Sequence, residues 1–134
     1  MALLHAAAVG TREVPRSEWA VFLRAFGRAH RSWLSTVEVA SAGGPWRLHA
    51  SGKPLDRIEI RQRSDATVSI EVHLHGEETP IVAANASVVE VPLSSEGAER
   101  GLDIVVRDGA RTRLRFRTAV PLEAVDGMAP GELA

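Results

Sequence analysis

The chain has no cysteine and no tyrosine among its 134 residues, and its only lysine is Lys53. Without cysteine there is no disulfide, no thiolate metal site and no cysteine nucleophile. Aromatic residues are scarce, three Phe and three Trp, so the place of each one matters. Long apolar runs are missing. The stretch Ala2 to Val9 is too short to span a bilayer and has no Lys or Arg before it. It reads as a ragged terminus or a docking strand rather than a signal peptide, and the default expectation is a cytoplasmic protein without membrane contact. A basic excess is missing too. The net charge is −1, whereas nucleic-acid-binding domains usually carry a strong positive balance, so nucleic acid is a disfavoured partner. No G-x-S-x-G, P-loop, strand-linked G-x-G-x-x-G, H-E-x-x-H or EF-hand pattern occurs. Catalytic triads are spatial and leave no local trace. Even so, the missing patterns favour a non-enzymatic protein with no cofactor.

What is present is a strong hairpin signal between residues 100 and 117. Leu102, Ile104 and Val106 alternate with Asp103, Val105 and Arg107. After Asp108-Gly109, Thr112, Leu114 and Phe116 alternate with Arg111, Arg113, Arg115 and Arg117. Residues facing each other on paired strands share a face. A two-residue Asp108-Gly109 loop would set Ile104 against Arg113. A three-residue loop, Arg107-Asp108-Gly109, sets Ile104 against Thr112, Leu102 against Leu114 and Asp103 against Arg113. The faces therefore predict the longer loop, with Gly109 in the left-handed conformation that glycine adopts without steric cost.

One helix is expected, over about 15–29. Trp19, Phe22, Leu23 and Phe26 recur at helical spacing, and Pro15 suits the first helical position. The rest reads as strands spread over about 33–120. Trp33 to Val39 is the first, Pro45 to Ala50 the second and Leu55 to Arg61 the third. Thr67 to His75 is the fourth, with Val68, Ile70, Val72 and Leu74 inward. An odd-length loop around Arg63-Ser64-Asp65 would set Ile60 opposite Val68 and Arg57 opposite Glu71. Residues 81–93 hold one strand near Ser87 to Val91, or two short ones. A loose tail follows over 121–134. At this length the chain is one domain, 1–134. Its class is mainly β with one N-terminal helix (α+β). The expected architecture is a small antiparallel meander forming a barrel or strongly curled sheet, with the helix covering one end or face; a sandwich is the alternative.

Two constellations could carry chemistry. Glu71, His73 and His75 share one face of the fourth strand, the spacing of a strand-borne divalent-metal site. As the face opposite the apolar residues, it also reads as a plain solvated face. Arg111, Arg113, Arg115 and Arg117 share a face of the last strand, and Arg57 and Arg61 share the equivalent face of the third. Such a surface could hold a phosphate, a carboxylate or an acidic partner. Arginine outnumbers lysine fifteen to one. Codon usage in a GC-rich genome accounts for that bias without any ligand, and bidentate anion recognition is the sharper alternative.

Several segments together resemble a known pattern. They are Thr11-Arg12-Glu13-Val14-Pro15-Arg16, Glu18-Trp19, Phe22-Leu23, Phe26, His30, Trp33-Leu34, Thr36 and Val37-Glu38-Val39, then Asp108-Gly109, Leu114-Arg115-Phe116-Arg117 and Val125-Asp126-Gly127. The pattern is that of a small bacterial family, a domain of unknown function. The resemblance covers most of the chain and implies a stand-alone intracellular domain of this size, with no assigned activity, cofactor or catalytic residue. Ser32 stands where that pattern has a glycine before the tryptophan, which would alter the junction turn.

The leading expectation is a non-enzymatic module that binds a protein partner, or assembles with itself, through an exposed strand edge. The alternatives are anionic-ligand or nucleic-acid binding through Arg57, Arg61, Arg111, Arg113 and Arg115, and metal binding through Glu71, His73 and His75.

Overall fold

The computed structural model describes residues 10–117. The expectations for Ala2 to Val9 and for the tail over 121–134 lie outside them. Within them the chain forms β1 (Gly10–Glu13), a 3-10 turn at Arg16–Glu18, α1 (Trp19–Ala29), β2 (Leu34–Ala40), β3 (Arg47–Gln62), β4 (Val68–Leu74), β5 (Ile81–Ala83), β6 (Ala86–Leu93), β7 (Gly101–Val106) and β8 (Arg111–Phe116). All the strands join one sheet in the order β1-β6-β7-β8-β2-β3-β4-β5, and every pairing is antiparallel. The sheet ends at β1 and β5 and does not close into a barrel. It curls enough for β4 to come against β6 and β5 against β7.

The hairpin at the end follows the face argument. Leu102 faces Leu114, Asp103 faces Arg113 and Ile104 faces Thr112. Val106 N donates to Ala110 O at 2.9 Å, closing a three-residue loop in which Gly109 has φ 97°.

Two expected strands, Pro45 to Ala50 and Leu55 to Arg61, are one continuous strand of 16 residues, β3. Gly52 takes φ 68° inside this strand, where the β2–β3 register shifts between Ser35–Lys53 and Val37–Ala50. The first half of β3 pairs with β2 as far as Pro54, and its second half, Leu55 to Gln62, pairs with β4.

The β3–β4 register also differs from the sequence expectation by two residues. Ile60 faces Ile70, Glu59 faces Glu71 and Arg57 faces His73. Arg63 N donates to Thr67 O at 2.8 Å, so the odd-length loop is Ser64-Asp65-Ala66 rather than one centred a residue earlier. Ala66 occupies its left-handed position at φ 70°, where no glycine marks it. Asp65 stabilises the loop by accepting bonds from Thr67 N at 3.0 Å and Thr67 Oγ1 at 2.7 Å, and these bonds hold its carboxyl below the usual range. A slip of two residues leaves the faces unchanged. Val68, Ile70, Val72 and Leu74 accordingly all point into the core.

The core is filled from both the sheet and the helix. Trp19, Leu23 and Phe26 of α1 join Val37, Leu55, Ile58, Ile70, Val89, Leu102, Ile104, Leu114 and Phe116. The Trp19 indole N–H donates to Val14 O at 2.9 Å, which meets the need of a buried indole for a partner. Phe116 stacks on His30 at 4.5 Å between ring centres and on Phe26 at 5.7 Å, and Trp33 meets it edge-on at 5.1 Å. Trp33 is therefore a packing residue although 47% of its surface remains exposed. Gly27 of the helix sits against the sheet: a β-carbon there would lie 3.0 Å from Ile58 N. Absence of a side chain lets α1 ride directly on the backbone of β3.

Candidate functional site

The arginines of β8 have acidic or aromatic partners from neighbouring strands. Arg113 Nε donates to Glu38 Oε1 at 2.6 Å, and Glu38 is its register partner on β2. Arg115 donates to both carboxylate oxygens of Asp103, at 2.7 and 3.3 Å. Asp103 thus faces Arg113 along the ladder but forms its ion pair with the diagonal neighbour. Arg111 donates to Gly44 O at 2.9 Å. Trp46 lies under the guanidinium groups of Arg111 and Arg113, 4.6 and 4.0 Å from its ring centre. A guanidinium held by a carboxylate and an aromatic face has less free charge to offer a ligand. The structure therefore does not group Arg111, Arg113 and Arg115 with Arg57 and Arg61 as one free cationic surface.

On the β3–β4 face, Glu71 and His73 come together as the alternation requires. His73 Nε2 donates to Glu71 Oε1 at 3.1 Å. Their third neighbour is Glu59 of β3, whose ligand atom lies with theirs inside 4.8 Å. His75 sits apart, 3.8 Å from Asp56. The side chains of Glu71 and His73 keep only 14% and 17% of their exposure, so this face is less solvated than a plain outer face. Both carboxylates already have cationic partners. Arg57 Nε donates to Glu59 at 2.6 Å, while Arg61 bonds Glu59 at 3.0 Å and Glu71 at 2.9 Å. A divalent ion would have to displace two guanidinium groups to reach these oxygens. The Arg57 hydrogen bond, aided by the charges of Arg57, His73 and Arg61, lowers the Glu59 carboxyl below the usual range. The same bond raises Arg57 further.

Next to this network lies a groove of about 700 Å³ between α1 and the second half of β3. It is lined by Arg24 and Arg28 from the helix, by Arg31 from the turn after it and by Asp56 to Arg61 from the strand. Five guanidinium groups therefore share it with the carboxylates of Asp56 and Glu59. The spacing of 24 and 28 places these two on one face of the helix. Arg31 reaches Asp56 at 3.6 Å. Arg24 and Arg28 are exposed, and among the described residues neither forms an ion pair or a side-chain hydrogen bond. The floor is more ordered. Arg57 is fixed by Asp56 at 2.6 Å and by Glu59, and Arg61 by Glu59 and Glu71. Each floor guanidinium still has a terminal nitrogen outside these bonds: Nη2 in Arg57 and Nη1 in Arg61.

Of the arginines lining the groove, Arg57 and Arg61 stand out in the sequence by strand alternation, whereas Arg24, Arg28 and Arg31 look like the solvated flank and end of an amphipathic helix. The available signal was Gly27, a glycine amid bulky apolar residues, which usually has a packing reason. It determines which flank of α1 lies beside β3. No family model, no curated protein and no solved structure matches the chain. No helix among the described residues is long and apolar enough to cross a membrane.

Proposed function

We propose that this protein is a non-enzymatic binding module whose ligand is anionic and lies in the groove between α1 and β3. The observation that carries this reading is the pair Arg24 and Arg28, one helical turn apart and without acidic partners among the described residues, beside a floor where Arg57 and Arg61 are already oriented. Oriented guanidinium groups lose little freedom on binding and recognise phosphate or carboxylate oxygens through paired N–H donors. Self-assembly through a strand edge has less support. The edge strands β1 and β5 have four and three residues, and short edges discourage strand addition. The open side of the second half of β3 is occupied by α1, which approaches within contact of Ile58 N at Gly27.

Calorimetric titration with sodium tripolyphosphate and, separately, with a hexaglutamate peptide tests the reading. At least one should bind, and affinity should fall as salt is raised from about 50 to about 200 mM. No heat from either at millimolar concentration refutes anion binding.

A further inference from the structure

The chemistry of the groove narrows the anion further, and the narrowing rests on the binding reading above. We infer that the groove takes a short chain of contiguous phosphoryl groups, either free oligophosphate or the oligophosphate tail of a small metabolite, through Arg24 and Arg28 with the free nitrogens of Arg57 and Arg61.

Three observations point there. The first is the array itself. Arg24 and Arg28 stand one helical turn apart, about 6 Å along the axis, and Arg31 follows in the turn after the helix. Arg57 and Arg61 converge on Glu59 from the strand, Arg57 Nε 2.6 Å and Arg61 Nη2 3.0 Å from its two oxygens, and add a second set of donors. Two sets of donors suit a linear polyanion better than a single carboxylate or orthophosphate, which could engage only one end. The second is what the lining omits. Arginine, Asp56, Glu59, Ile58 and Ile60 make up the whole wall. With no aromatic residue there is no platform on which a base could stack, so neither a nucleobase nor single-stranded nucleic acid finds recognition beyond its phosphates. The third concerns the backbone. An acidic peptide needs partners for its own N–H and C=O groups, and the natural source here is the open side of β3. Gly27 closes that side at Ile58, so a peptide would lie in the groove with its backbone unsatisfied. A phosphoryl chain has no such requirement. It also packs several charges into a groove of about 700 Å³, enough to outweigh Asp56 and Glu59, whose charges are already shared with Arg31, Arg57 and Arg61.

The full-length protein is titrated with tripolyphosphate, orthophosphate, hexaglutamate and a nucleoside triphosphate at low salt. Tripolyphosphate should bind one per chain and at least about tenfold tighter than orthophosphate or hexaglutamate, the difference one or two extra charge-assisted bonds produce. Equal affinity for tripolyphosphate and the nucleoside triphosphate extends the site to metabolite tails. Tripolyphosphate binding tenfold tighter than the nucleoside triphosphate restricts it to the free chain. Arg24→Gln and Arg28→Gln should each weaken tripolyphosphate about tenfold or more. Both residues are exposed and glutamine keeps helix propensity, so the variants stay folded. Arg107→Gln, an exposed loop change away from the groove, should leave affinity unchanged. Three results overturn the inference while leaving anion binding standing: hexaglutamate binding better than tripolyphosphate, a nucleoside triphosphate binding more than tenfold tighter than tripolyphosphate, or full affinity in the Arg24 and Arg28 variants. Silence from all four probes removes the inference and the binding reading together.

Discussion

Replacing Ser32 with glycine should make this protein more stable. Ser32 has φ 74°, a left-handed conformation that puts the β-carbon close to the following carbonyl and costs a non-glycine residue about 1 to 2 kcal/mol. The turn is fixed from both sides. Ser32 N donates to Leu55 O at 2.7 Å, Leu55 N donates to Trp33 O at 2.9 Å, and Trp33 N donates to His30 O at 3.0 Å. Relaxing Ser32 would break the junction between α1 and β3, so the strain stays. The serine side chain is exposed and makes no hydrogen bond among the described residues, so little is lost with it. Glycine does give the unfolded chain more freedom, which takes back about 0.4 to 1 kcal/mol. The net gain is about 0.5 to 1 kcal/mol, or roughly 2 to 4 °C in melting temperature for a domain of this size.

Differential scanning calorimetry at one pH, with two companion variants, isolates the cause. Ser32→Ala keeps the β-carbon and removes the hydroxyl, and should melt with the parent. Gly76→Ala calibrates the backbone cost in this protein. Gly76 has φ 84°, and a β-carbon there would meet nothing within 4 Å, so any loss is conformational and should be about 1 kcal/mol. A Ser32→Gly variant that melts at or below the parent, while Gly76→Ala shows the expected loss, refutes strain at Ser32.

Other consequences are as direct. Phe116→Ala should cost roughly 3 to 5 kcal/mol, because it empties a site between Phe26, His30 and Trp33; Arg115→Ala, which loses only a part-exposed pair with Asp103, should cost about 1 kcal/mol or less. Comparable denaturant midpoints for the two would overturn the assignment of faces in β8. Gly101→Ala should lose about 3 kcal/mol or fail to fold, since its β-carbon would lie 1.9 Å from Leu114 O across the ladder; a parent-like urea curve would contradict that packing. Ser69→Ala should be neutral or slightly stabilising, because the buried Ser69 hydroxyl has no partner among the described residues, and a clear loss in thermal stability would mean it has one. The depressed Glu59 carboxyl contributes stability that is fully present above the ordinary glutamate range and is lost as pH falls through the lowered value. Urea midpoints measured from neutral pH downward should therefore fall less in Glu59→Gln than in the parent, and parallel acid profiles would reject the linkage.

What could be read from the sequence was what local pattern determines. The β7–β8 register followed from face alternation around Asp108-Gly109, and the helix from Trp19, Leu23 and Phe26. Where one residue type serves two purposes the reading failed. Gly52 and Pro54 mark a turn in most sequences, but here they lie in a strand that changes partners. Ala66 occupies a left-handed position that composition cannot flag, so the β3–β4 register came out two residues away. The charged surface failed for a different reason. Whether an arginine is free depends on residues far along the chain: Arg113 is neutralised by Glu38, and Arg115 by a carboxylate across the hairpin. Alternation puts Arg57 and Arg61 on one face of β3, but their carboxylate partners and the neighbouring helical arginines are fixed only by register and by the seat of α1.

The groove follows from the length of β3. At 16 residues it is longer than either neighbour, β2 and β4 having seven each. β2 pairs with it only as far as Pro54 and β4 only from Leu55, so its second half has a strand neighbour on one side only. Helix α1 lies along the other side, and Gly27 lets it sit close to Ile58. A helix is a cylinder about 10 Å across, however, and touches the strand along a line at Ile58 rather than over a plane. The space beside that line is walled by Arg24 and Arg28 on the helix flank and by Arg31 in the turn that follows. β2 and β4 supply acidic side chains to the arginines beside them, Glu38 to Arg113 and Glu71 to Arg61, but no strand lies beside Arg24 and Arg28 to do the same. Where β3 passes from β2 to the helix, Arg24 and Arg28 thus face the groove without a carboxylate partner among the described residues.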